Sequence, residues 1–222
     1  MRIYELANLT ELKKDSAAIA AAKGIDFKTG HDYIDNKEVY SILKSRGWTA
    51  VGDGLYARVF TNPDYPYALK LFSKDDRCYV NFLKVAMNSN NPHFPKFRGK
   101  LVSLGPVNAV RMEKLEPLTR AEYTGNFPFL AFLEYYFGKD GPSMNIRGKI
   151  AGKYELETEE EIDQALGDVS MDFEDKNPQF VEAIEKLKSI ATPDCMFDLH
   201  GANFMKRGGT FVITDPLAPA ES

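Results

Sequence analysis

Two adjacent glycines, Gly208 and Gly209, stand between two short runs of strand-forming residues, Phe204–Lys206 and Thr210–Ile213. Paired glycines accept the positive φ angles of a tight two-residue turn, so the segment predicts a β-hairpin. The turn also sets a register. If it centres on Gly208-Gly209, Asn203 lies opposite Thr214, beside Asp215. An amide oxygen and a carboxylate then meet at the open end of the hairpin, and these are hard oxygen ligands suited to magnesium carrying phosphates. Asp198 precedes them, placed to orient or accept the proton of an attacking hydroxyl. Asp and Asn at such positions also serve simply to cap turns.

Two upstream features fit the same chemistry. In Gly52-Asp53-Gly54-Leu55-Tyr56-Ala57-Arg58-Val59, Gly52 and Gly54 let backbone N–H groups approach phosphate oxygens closely. Val59 follows in the strand-like run after them. Taken alone, Gly-x-Gly is more often a plain hairpin turn. In Ala68-Leu69-Lys70, strand alternation puts Ala68 and Lys70 on one face and Tyr67, Leu69 and Leu71 on the other. A small residue leaves room for a purine, and a lysine beside it supplies a cation for the α- and β-phosphates.

The rest of the chain supplies a frame. Residues 1–46 read as a helical extension, with helices over Leu9–Lys23 and Asn36–Ser45. Residues 47–116 read as an antiparallel sheet of five strands plus one helix, Asp75–Met87, whose Tyr79, Phe82, Leu83 and Ala86 share a face. Residues 117–222 read as mainly helical up to residue 190. Phe127–Phe137 is an aromatic helix that must bury much of its surface. Glu155–Asp175 is acidic and poor in aromatics, and reads as a solvated face or loop. Asn177-Pro178 marks a helix start, with Phe180, Ile184 and Leu187 at helical spacing. Of 222 residues, 27% are charged and the net charge is -4, so nucleic acid is not expected as the main partner. No apolar run is long enough to span a bilayer, and the first residues lack the pattern of a secretory signal. Cys78 and Cys195 are the only cysteines. They suit free thiols in a reducing cytosol better than a disulfide framework, although one pair is left open.

A glycine loop, a strand lysine, a helix, further strands, a helical stretch, Asp-x-x-x-x-Asn and a hairpin ending in Asp stand in the order of the kinase signature set. Gly52-Asp53-Gly54, Phe197-Asp198-Leu199-His200-Gly201-Ala202-Asn203 and Ile213-Thr214-Asp215-Pro216 resemble the protein-kinase superfamily. More closely, they are similar to the early serine/threonine kinases of short-tailed coliphages and to minimal effector kinases of bacteria. The likeness covers roughly residues 46–218. It implies an α+β, minimal two-lobed protein-kinase-like fold with a helical N-terminal extension and a truncated C-lobe. It implies ATP and Mg2+ as cofactors, Asp198 as catalytic aspartate, Lys70 on the nucleotide phosphates, and Asn203 and Asp215 on magnesium. Gly52, Gly54, Val59 and Ala68 would enclose the nucleotide, and the hinge from Met112 through Glu113 to Leu115 would bind adenine. The implied activity is phosphorylation of host proteins on serine or threonine in the host bacterial cytoplasm.

The chain departs from that pattern in four places. Met196-Phe197 stands where His-Arg is usual, and Pro216-Leu217 where Phe-Gly is usual. The Asp75–Met87 helix carries no glutamate to partner Lys70, leaving Asp75 or Asp76 as substitutes. The sequence ends seven residues after Asp215, so substrate docking is expected on another surface. His200 is expected to hold the loop rather than to react. Two rivals remain: a pseudokinase-like binding module that inhibits a host enzyme, and a small-molecule phosphotransferase of the aminoglycoside-kinase type.

Overall fold

Alternation along Tyr67–Ser73 builds the first sheet. Tyr67, Leu69 and Leu71 project to one side and are buried with Leu43, Trp48, Phe60 and Ala109 in one apolar cluster. A strand with both faces buried, as this one has, sits at the centre of a sheet. The computed structural model describes residues 43–53, 57–104, 107–138 and 145–220. They contain both helices and antiparallel sheets, an α+β fold. The expected helical extension lies outside the described residues except for its last few, where Leu43–Ser45 are helical. Gly54 also lies outside them.

The described chain divides into two units. The first comprises residues up to Arg77 together with Lys96–Lys114. It holds strands β1 (Thr49–Asp53), β2 (Ala57–Thr61), β3 (Tyr67–Ser73), β4 (Phe97–Leu104) and β5 (Val107–Glu113). They form one antiparallel sheet in the order β1-β2-β3-β5-β4. Trp48 stacks on Tyr65 at 5.1 Å, and the fully buried Arg111 guanidinium lies 4.9 Å from the Tyr67 ring centre.

The second unit comprises Cys78–Pro95 and the residues from Leu115 onward. Helix α1 (Arg77–Met87) belongs almost wholly to this unit and not to the sheet of the first. It buries Tyr79, Phe82, Leu83 and Ala86, the face the sequence predicts, and Cys78 as well. The other helices are α2 (Arg120–Gly125), α3 (Phe127–Phe137), α4 (Ile146–Tyr154), α5 (Glu159–Lys176) and α6 (Pro178–Lys188). Phe129 of α3 is fully buried and is the hub of this core. Its ring lies 5.0–6.0 Å from those of Tyr123, Phe173, Phe180, Phe204 and Phe211, mostly edge to face.

Of the two readings of the acidic stretch, the structure shows the solvated face and not the loop: most of it is α5, largely exposed, with Ile162, Leu166, Ser170 and Phe173 buried. Thr158 and Glu161 form a capping box, and three glutamates in the first turn complement the helix dipole. The cysteines are not free thiols: Cys78 and Cys195 form a disulfide, 117 residues apart in sequence. It joins α1 to strand β7 (Cys195–Phe197), and Ile190, Ala191, Phe197 and Leu217 pack around it. The spacing gave no hint because two distant cysteines meet only when the helix and the strand have packed.

Strand β7 pairs antiparallel with β10 (Leu217–Pro219). A separate three-stranded sheet runs β6-β8-β9, from Glu116–Pro117, Phe204–Arg207 and Thr210–Ile213. Among the described residues no helix is long and apolar enough to cross a membrane.

Candidate functional site

On the first unit, sheet register collects several predicted residues. Directly paired residues on neighbouring strands share a face. Gly52 pairs with Val59, Val59 with Lys70, and Lys70 with Val110. Thr61, Ala68 and Met112 form the parallel row one step along. Val59, Ala68, Lys70 and Met112 therefore occupy one face, opposite the Tyr67–Leu69–Leu71 cluster. Lys70 is 4% exposed, and Ala68 and Met112 are equally enclosed. Gly52 lies in extended backbone, and a side chain there would meet Val59 only at an ordinary 3.7 Å. Neither its φ nor the room around it demands glycine. Of the two acidic candidates before α1, Asp76 is buried and Asp75 is exposed.

Glu113 and Lys96 are doubly linked. The Glu113 N–H donates to the Lys96 carbonyl at 2.8 Å, and the Lys96 N–H donates to Glu113 Oε1 at 2.7 Å. The division between the units falls between Lys114 and Leu115.

On the second unit, the hairpin has the predicted register. Phe204 pairs with Ile213 and Arg207 with Thr210 around Gly208-Gly209. Only Gly208 has positive φ, +59°, so the requirement falls on the first central residue, as in a type II′ turn. Asn203 lies opposite Thr214, whose N–H and Oγ1 both donate to the Asn203 carbonyl, at 2.9 and 3.0 Å. Asp215 follows directly. Pairing of β7 with β10 continues one step, with the Asp198 N–H donating to the Pro216 carbonyl at 2.9 Å. Asp198 and Asp215 are thus brought to the same end of two short ladders.

The loop between them is braced from within. The Asn203 Nδ2 donates to the Asp198 carbonyl at 2.8 Å. His200 caps the 3-10 turn Gly201–Asn203, its Nδ1 accepting from the Ala202 N–H at 3.2 Å. An accepting Nδ1 puts the proton of neutral His200 on Nε2, which lies 3.3 Å from Asp198 Oδ1. His200 is thereby a clamp on the Asp198 carboxylate, the holding role its position predicts. The hydrogen bond to Asp198 raises the His200 pKa, against burial and with help from the Asp198 and Asp215 charges. The Ala202 N–H opposes protonation, because it needs the Nδ1 lone pair.

A braced Asn203 has one end left for a ligand. Its NH2 donates to the Asp198 carbonyl and also lies 3.2 Å from His200 Nε2, which leaves Oδ1 as the end a cation would use. Among the described residues no group of three or more His, Cys, Asp or Glu is arranged to hold a metal. One amide oxygen and one or two carboxylates fit magnesium, which keeps waters and takes the rest of its shell from substrate phosphates. They do not fit a structural zinc site.

Sequence reasoning missed two supports of this loop, the Cys78–Cys195 bridge and Tyr123, whose hydroxyl donates to the Leu199 carbonyl at 2.9 Å. Neither carries a local pattern. The sequence matches no protein-family model and no curated protein.

Proposed function

We propose that this chain is an ATP- and Mg2+-dependent protein kinase of reduced, two-lobed form that phosphorylates serine or threonine on host proteins. The observation that supports it best is the hairpin register, which sets Asn203 opposite Thr214 beside Asp215, together with the Asn203 brace on Asp198. The Lys70 face of the sheet adds a second support.

In this proposal the sheet face with Val59, Ala68 and Met112 receives adenine, with the backbone from Met112 to Leu115 reading its edge. The Glu113 N–H is already committed to Lys96, so that edge would be read by other backbone groups. Gly52 and Gly54 cover the phosphates and Lys70 offsets their charge. Asn203 and Asp215 would hold Mg2+, which when bound draws charge from the β- and γ-phosphate oxygens. Asp198 orients the acceptor hydroxyl. The hydroxyl oxygen bonds to the γ-phosphorus as the bond to the β,γ-bridging oxygen breaks; ADP leaves and the hydroxyl proton passes to Asp198. Positioning and charge stabilisation supply most of the rate.

One observation favours a second reading, a binding module that occupies a host enzyme. Helix α1 has no acidic residue in its first turn and no glutamate anywhere, a departure from the pattern on which the kinase resemblance rests. Radiolabelled ATP with magnesium, purified protein and bacterial lysate separates the two. Labelled bands that vanish with Asp198→Ala and with Asp215→Ala support the kinase. Absence of labelling together with no ATP-dependent rise in melting temperature refutes it. Stabilisation by ATP without transfer favours the binding module.

A further inference from the structure

We propose that Tyr123 is the positioning residue for Asp198, holding the loop at the angle that phosphoryl transfer needs. The catalytic half of this inference rests on the kinase proposal; the anchoring half does not.

The Asp198–Asn203 segment is tied from within, by Asn203 Nδ2 to the Asp198 carbonyl and the Ala202 N–H to His200 Nδ1. It is tied to the strands beside it by the Asp198 N–H to the Pro216 carbonyl and by the Thr214 N–H and Oγ1 to the Asn203 carbonyl. A further tie comes from a helix. Tyr123, 8% exposed, donates its hydroxyl to the carbonyl of Leu199, the residue next to Asp198. Its ring also lies beneath Gly201. A Cβ built there would come within 3.0–3.3 Å of the ring atoms Cδ1, Cγ and Cε1. That is tighter than ordinary van der Waals contact, so the tyrosine ring and the glycine backbone fit each other directly. One side chain therefore grips the loop by its peptide and by its Cα.

Tyr123 is suited to this in two further ways. Burial pushes its pKa up to about 12, so the phenol remains a neutral donor across the physiological range. Its helix is itself fixed. Thr119 and Glu122 form a capping box on α2, and Glu122 pairs with Lys206 on β8. The Tyr123 ring lies 6.0 Å from those of both Phe129 and Phe204. The helix that positions the Leu199 carbonyl is thus bound to the same hairpin that carries Asn203 and leads to Asp215. A tyrosine needed only to fill the core would not require its hydroxyl, and phenylalanine would serve.

The test is Tyr123→Phe, which removes one oxygen and keeps the ring. Initial rates are measured with labelled ATP, magnesium and the lysate proteins the wild type labels. We expect kcat to fall about tenfold or more, the equivalent of losing one good hydrogen bond in the transition state. KM for ATP should stay within about twofold, since uniform binding is untouched. Gly201→Ala, which pushes the ring from the other side, should give the same pattern. Unchanged kcat in Tyr123→Phe overturns the proposal. So does a fall in activity that merely tracks a loss of folded protein. Amide hydrogen exchange is read on the same samples. The Ala202 and Asn203 amides, both bonded to His200 in the wild type, should exchange faster in Tyr123→Phe while those of α3 do not change. Unchanged exchange at Ala202 and Asn203 removes the anchor even if the wild type proves inactive. Faster exchange in an inactive wild type keeps the anchor and rejects the kinase.

Discussion

The side-chain amide of Asn203 donates to the main-chain carbonyl of Asp198 at 2.8 Å. The residue proposed to hold magnesium and the residue proposed to orient the acceptor are therefore parts of one braced loop.

Asn203→Asp tests that brace. The carboxylate keeps the size and the metal-binding oxygen but replaces the NH2 donor with an acceptor facing a carbonyl. Asn203 is 9% exposed, so the mismatch is nearly dry. We expect a loss of about 1–3 kcal/mol in urea unfolding and loss of transfer activity. An unchanged unfolding midpoint would show that the amide is not what holds the loop.

The Cys78–Cys195 bridge closes a long loop and is buried at both ends. Reduction, or the pair Cys78→Ala and Cys195→Ala, should lower stability by about 2–4 kcal/mol. The alanine pair also loosens β7, the strand that leads into Asp198, so activity should fall in parallel. Alkylation and intact mass show whether the bridge is formed. A melting temperature indifferent to reductant, in protein shown to be oxidised, would contradict its structural role.

Ser170 sits in the middle of α5, fully buried, and among the described residues its Oγ has no hydrogen-bond partner. Its neighbours on that face are Ile162, Leu166 and Phe173. Ser170→Ala removes an unsatisfied hydroxyl and improves helix propensity, so stability should rise by up to about 1 kcal/mol. A drop of that size would mean the hydroxyl is satisfied in solution.

His93 predicts a pH dependence. Its ring stands edge-on to Phe180 and lies 2.8 Å, by Nδ1, from the Phe211 carbonyl. Burial lowers its pKa from 6.5, Arg207 adds to this, and the Phe211 bond opposes it. The unfolded chain therefore takes up a proton that the folded chain resists. Stability contributed by neutral His93 is present above pH 6.5 and is lost as pH falls below it. His200, with a raised pKa, has the opposite sign: its contribution is present at low pH and lost as pH rises through its folded value. Comparing the wild type with His93→Asn, which keeps a donor toward Phe211, isolates the first term. The difference in unfolding free energy should shrink between about pH 7.5 and 5.5. A constant difference would contradict the assignment.

The parts of the site legible in the sequence are those with local causes. Two glycines between two four-residue strands dictate the Phe204–Ile213 pairing, because a two-residue turn admits one register. Alternation alone puts Ala68 and Lys70 on one face of β3, since a strand has period two. The aromatic density of Phe127–Phe137 demands burial, and five consecutive residues from Phe129 to Leu133 are buried. The acidic stretch leaves face and loop both open because its charge outweighs its apolar spacing, although Thr158-x-x-Glu161 is a readable helix start.

The remaining features depend on segments far apart in the chain. Strands β7 and β10 are three residues each, too short for a pattern, and they exist because each satisfies the other's backbone. The Cys78–Cys195 bridge, the attachment of α1 to the second unit and the grip of Tyr123 on Leu199 have the same origin. By itself the sequence determined the register of the hairpin and which residues of β3 share a face. Tertiary structure alone decided what holds that hairpin and its loop still, because a buried hydrogen bond or a disulfide forms only when packing has offset the entropy of bringing its partners together.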